Sequence, residues 1–137
     1  MEWSMRKPSK KWKEFGQLID IVDIRIGKKQ RKLVTLRKQY QDLLDVIEDK
    51  WHQIERQQQH LKSIRVANEP NALSRLFMRR ESTKSAIESL FFDASIKQQD
   101  AQEVASQITE VEAEKRRLEK RKDALAELRE QMRYEKS

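Results

Sequence analysis

The chain has no cysteine and only two glycines and two prolines among 137 residues. The first absence excludes disulfides, thiolate metal sites and cysteine nucleophiles, and fits a reducing compartment. The second removes the turn residues that a compact mixed fold needs wherever the chain reverses. Long apolar runs are also missing. None approaches 18 residues, so no transmembrane helix is expected. The lysines near the N-terminus lead into no apolar stretch, so no secretory signal is expected either. Gly16 and Gly27 stand alone and form no phosphate-binding loop. The two histidines, His52 and His60, are two helical turns apart, too far for one metal ion, and read as solvated side chains. No nucleophile or acid–base constellation can be assembled. The chain is therefore expected to be no enzyme and to need no cofactor or metal.

What is present is charge and periodicity. Charged residues make up 39% of the chain and hydrophobic residues 36%, the profile of a long helix or coiled coil. Ile19, Ile26, Leu33, Tyr40, Ile47, Ile54 and Leu61 follow one another at seven-residue spacing, an unbroken a column. At this composition such a run arises by chance roughly once in 1000 trials of one frame. The d column reads Val22, Lys29, Leu36, Leu43, Lys50, Gln57 and Ile64, with polar members that cost stability and fix register.

Residues 67–71, Ala-Asn-Glu-Pro-Asn, are the only interior break. Pro70 disfavours a helical Glu69 yet suits the first turn of a new helix, which Asn68 or Asn71 would cap. The heptad then resumes, with Leu90, Val104, Val111, Leu118 and Leu125 in the better, d column. Its a column is poorer and includes Leu73, Ala94, Ala101, Lys115, Lys122 and Arg129.

These patterns predict an all-α fold of one domain, a long antiparallel two-helix coiled-coil hairpin. Helix 1 is expected over about 16–66, the turn over about 67–71 and helix 2 over about 71–135, after a basic N-terminal tail at 1–15. Positions i and about 138 − i should face each other, placing Ile47 near Phe91 and Leu33 near Ala105. The termini should form an open end with helix 2 overhanging. A continuous parallel dimer is the rival topology, disfavoured by the break at Glu69-Pro70.

The net charge of +7 is uneven. Residues 1–38 hold twelve Lys/Arg against four Asp/Glu, so the remainder is nearly neutral. Arg25, Lys28, Lys29, Arg31 and Lys32 have no acid between Asp23 and Asp42 to dilute them, which favours an acidic partner. A second run, Lys115-Arg116-Arg117 with Lys120-Arg121-Lys122, is interleaved with acids. No aromatic residue alternates with these cations as a base-stacking platform requires, so nucleic acid is not the expected partner. Trp3, Trp12 and Phe15 in the basic N-terminal segment suit packing on the rod or a partner, or a short membrane anchor. Leu44, Trp51, Phe77, Met78 and Phe91 flank the seam. They are candidates for an exposed docking patch, with Leu44 and Phe91 equally suited to widening the seam.

The opening of helix 1, Leu18-Ile19-Asp20-Ile21-Val22-Asp23-Ile24-Arg25-Ile26-Gly27-Lys28-Lys29, is an apolar start followed by Arg and further basic residues. With the charged heptads of 110–133, it resembles the stalk proteins of bacterial type III export, FliJ of the flagellum and YscO/HrpO of injectisomes. Gly27 departs from the charged or alanine-rich residues of that pattern. The resemblance covers nearly the whole chain and implies a cytoplasmic protein, peripheral at the inner-membrane export apparatus, serving protein transport and virulence. Its open end would enter the export ATPase hexamer through Arg25, Lys28, Lys29, Arg31 and Lys32. The apolar patch of Leu44, Trp51, Phe77, Met78 and Phe91 would meet the export gate's cytoplasmic domain or another partner, and the resemblance also implies that secretion chaperones are bound or recycled. A coiled-coil adaptor or scaffold is the alternative, and a basic nucleic-acid-binding hairpin a further one.

Overall fold

A computed structural model describes residues 7–65 and 70–134. It is all-α, with helix α1 spanning Lys10–Ser63 and helix α2 spanning Ala72–Gln131, packed against each other as a hairpin. Trp3, Asn68 and Glu69 lie outside the described residues. The chain divides into two compact units, residues 1–37 with 106–137, and residues 38–105. Each helix contributes a segment to both.

In the first unit α1 begins six residues before Gly16, so residues 10–15 of the expected tail are helical. The reason is Ser9. Its Oγ accepts a hydrogen bond from the Trp12 amide at 2.9 Å, and its carbonyl accepts one from the Lys13 amide at 3.2 Å. That is an N-cap, which satisfies donors that a helix start otherwise leaves bare. Val22, Leu33, Leu36 and Val111 are buried in this unit, with Ile19, Ile26, Leu118 and Leu125 half-buried. Leu33, at 1% exposure, is the largest fully enclosed side chain. Burial of such a leucine contributes about 1.5–3 kcal/mol.

The polar seam residues of this unit find partners across the pair. Lys29 donates to Glu114, Lys115 to the Gln30 side chain at 2.7 Å, and Lys122 to Asp23 at 2.7 Å. Arg37 pairs with Glu112 at 3.4 Å. The shift from the expected 138 − i register is plain in these partners. Lys29 with Glu114 sums to 143, and Asp23 with Lys122 to 145. The offset of five to seven residues, about one and a half to two turns, has the same sense at the Trp51–Phe91 contact, whose numbers sum to 142, and so goes with the place where the chain turns and not with these solvated pairs.

The expected open end is instead clasped. Ser9 Oγ donates to the Met132 carbonyl, the Ser9 amide donates to the Arg133 carbonyl at 3.3 Å, and Pro8 pairs with Tyr134 in an isolated antiparallel bridge. Arg129 lays its guanidinium 3.8 Å from the Trp12 ring centroid and donates to the Trp12 carbonyl at 3.1 Å. α2 ends at Gln131, four residues short of the expected 135, and no overhang of α2 occurs here.

In the second unit Ile47, Ile54, Ile87, Ala94 and Ala101 are buried. Tyr40, Leu61, Leu90 and Val104 are half-buried. Thr83, a buried polar seam residue, donates to the Arg79 carbonyl at 2.9 Å. Trp51 meets Phe91 edge to face, with ring centroids 5.3 Å apart. The ring partner of Phe91 is thus Trp51, one turn further along α1 than Ile47. Twelve residues on from Trp51 is Ser63, and twelve back from Phe91 is Arg79. The first two turns of α2 therefore run past the end of α1. α1 stops three residues before the expected 66, where the Ile64 amide closes on the Leu61 carbonyl at 3.4 Å. Asn71, at φ 60°, precedes α2, and its carbonyl accepts the Arg75 amide at 3.1 Å. Asparagine tolerates that left-handed conformation better than most residues.

Candidate functional site

Two surfaces stand out, one in each unit. In the first unit, Arg25, Lys28 and Lys32 occupy positions i, i+3 and i+7 of α1, which a helix places on one face. With Lys29 they line an open hollow of about 530 Å³, closed on the α2 side by Glu114, Arg117 and Leu118. Arg31, the fifth cation expected here, does not line it. Its position opposes the seam, and its carbonyl accepts the Thr35 hydroxyl at 3.2 Å.

Arg117 was hidden in the acid-diluted second run of the sequence. Only the register, which carries it across from Lys28, reveals it. Its neighbours diverge, since Lys115 goes to Gln30 and Lys122 to Asp23.

The hollow is electropositive. The hydrogen bond from Lys29 holds the Glu114 carboxyl below its ordinary range against some desolvation, and the charges of Lys29, Lys32 and Arg117 act in the same direction as the bond. Lys122 is pushed up by its hydrogen bond to Asp23 and by that carboxylate's charge. Both pairs are solvated, so salt screens them and their contributions to stability are small.

In the second unit the five expected docking residues fall into three places. Trp51 and Phe91 cover each other, although Trp51 keeps 42% exposure. Leu44 borders a smaller hollow with Tyr40, Ile47 and Ala101. Phe77 and Met78 stand about 20 Å along α2 from Phe91, by helical rise. They are 65% and 69% exposed, and Leu73 beside them is 73% exposed. Leu73 belongs to the a column and reads as core in the sequence, but α1 ends before reaching it. Residues 70–80 around this cluster hold Arg75, Arg79 and Arg80 and no acid.

Among the described residues no group of three His, Asp or Glu is placed to hold a metal ion, and no helix is long and apolar enough to cross a membrane. His52 lies 3.6 Å from Glu48 one turn away, on the solvated face. The fold and these surfaces define a helical hairpin with a basic hollow and a separate apolar cluster. No protein-family model matches the chain, and neither a curated protein nor a solved structure does.

Proposed function

We propose that this chain is a non-enzymatic coiled-coil stalk of a bacterial type III protein-export apparatus. The observation that carries the reading is the segregation of two contact chemistries on one helical hairpin. Arg25, Lys28, Lys32 and Arg117 gather around a single hollow in one unit. Leu73, Phe77 and Met78 are left uncovered in the other. The opening segment that resembles the export stalks adds support. Val22 is buried and Ile19 and Ile26 are half-buried, while Leu18, Ile21 and Ile24 remain on the surface. A helix that needed only its own partner would have no use for that second apolar face.

In this reading the basic unit enters the export ATPase hexamer, where complementary charge steers association. The apolar cluster docks the cytoplasmic domain of the export gate, with Trp51, Phe91 and Leu44 extending the contact. Secretion chaperones are the remaining class of partner. The protein acts in the cytoplasm at the inner-membrane apparatus and contributes no bond chemistry of its own.

Reconstitution with a type III export ATPase hexamer and an export-gate cytoplasmic domain tests the reading. The full chain should bind and stimulate the ATPase. Lys28→Glu with Lys32→Glu should abolish that effect while sparing the gate, and Phe77→Ala with Met78→Ala should do the reverse. Failure of the full chain to engage either protein would overturn the proposal and leave a coiled-coil adaptor as the better description.

A further inference from the structure

The cations of the basic hollow are arranged in a way that docking to a protein does not require. Arg25, Lys28 and Lys32 span about 10 Å along one face of α1, and Arg117 reaches in from α2. Lys29 is occupied by Glu114, the only acid in the lining. Arg25, Lys28, Lys32 and Arg117 have no carboxylate partner among the described residues. The one nearby acid of α1, Asp23, is taken by Lys122. Lys28 and Lys32 are four apart, as are Arg25 and Lys29, so each pair repels along the helix. A bound anion would relieve that repulsion. The hydrogen bond from Lys29 is the main reason the Glu114 carboxyl is held low, and the charges of Lys32 and Arg117 add to it.

Shape narrows the ligand. A volume of about 530 Å³ lies within the range of small-molecule sites. Leu118 is the only apolar residue of the lining, and the aliphatic stems of the Lys and Arg side chains supply most of the remaining wall, with the charged heads at its rim. A row of cations about 10 Å long, with one more facing it, suits several linked charges better than a single phosphate.

We infer that the hollow lined by Arg25, Lys28, Lys32 and Arg117 binds a small polyphosphate anion, whether the triphosphate of a nucleotide or an inorganic polyphosphate. The inference stands apart from the stalk reading and needs no export component for its test. The cations act as point charges and guanidinium donors to consecutive phosphate groups. Glu114 limits affinity by repelling the anion and holding Lys29 away from it.

Isothermal titration of the full chain with inorganic tripolyphosphate at 0.05 M salt provides the test. Saturable binding with one ligand per chain is expected. Lys28→Gln and Arg117→Gln should each weaken it about fivefold or more, the loss of one charge-assisted contact in a solvated site. Glu114→Gln should tighten it severalfold, a gain that misfolding cannot mimic. Arg79→Gln and Glu81→Gln make the same charge changes in the other unit and should leave it unaltered. ATP binding no tighter than tripolyphosphate assigns the site to the phosphate chain alone. ATP binding tenfold tighter assigns it to a nucleotide. Absence of saturable binding would overturn the inference. So would equal losses from Arg79→Gln, or mixed-sequence duplex DNA binding more tightly than either small anion.

Discussion

Gly16 lies buried beneath Arg129, and a Cβ there would sit 2.6 Å from a guanidinium nitrogen and 2.9 Å from its central carbon. Gly27 faces only the Arg31 guanidinium at 3.6 Å, an ordinary contact. Helix propensity favours alanine at both sites by about 1 kcal/mol. Gly27→Ala should therefore raise stability by about 0.5–1 kcal/mol in urea denaturation. Gly16→Ala should gain less, because Arg129 must leave the Trp12 ring. In an Arg129→Ala background the two gains should become equal, the signature of a contact and not of backbone geometry. Titration gives a second prediction at this scale. Lys122 is raised above its ordinary 10.5, so its pair with Asp23 stabilises fully below that pH and is lost as pH climbs through the folded value. Glu114 is lowered from 4.5, so its pair with Lys29 stabilises above that pH and is lost as pH falls through the folded value. Melting temperature should thus be flattest between these limits, and Asp23→Asn should remove part of the alkaline fall.

The helices show what heptad arithmetic can and cannot see. Every a position from Ile19 to Leu61 is buried or half-buried, because seven-residue spacing alone decides which stripe faces a partner helix. The poorer-looking column of α2 holds its two most buried alanines, Ala94 and Ala101, whose small side chains let the backbones approach. What the spacing cannot supply is register. That depends on where α1 ends and α2 begins around the turn and on which side chains then meet, as Trp51 meets Phe91, and these are properties of two segments brought together. Leu73 is the clearest case, since its frame says core and its surroundings say surface. Leu33→Ala should cost about 2–5 kcal/mol in chemical denaturation, whereas Leu73→Ala should stay within about 0.5 kcal/mol. An outcome that reversed this order would refute the register described above. The basic hollow was half legible for the same reason: its α1 members follow from the acid-free run after Asp23, but Arg117 does not.

At the level of the whole molecule the charge divides along the boundary between the units. Residues 1–37 with 106–137 hold twenty Lys/Arg against twelve Asp/Glu, and residues 38–105 hold ten against eleven. Partners can accordingly be sorted by ionic strength. Binding that falls steeply between 0.05 and 0.5 M salt should depend on Lys28 and Lys32, since solvated charges more than a few ångströms apart are screened there. Binding that survives should depend on Leu73, Phe77 and Met78, because burial of apolar surface is not weakened by added sodium chloride in the same way. Surface plasmon resonance on the two sets of variants reads this directly. The clasp that joins Ser9 to Met132 and Pro8 to Tyr134 has a consequence for the path of the chain. Residues 126 apart in sequence are backbone neighbours in space, so a short linker from 134 to 8 would close the polypeptide into a ring without stretching either helix. Cutting that ring between Ser63 and Ala72 would yield a circular permutant with α2 leading and α1 following. The seam, the hollow and the apolar cluster would keep their neighbours while the order of synthesis was reversed.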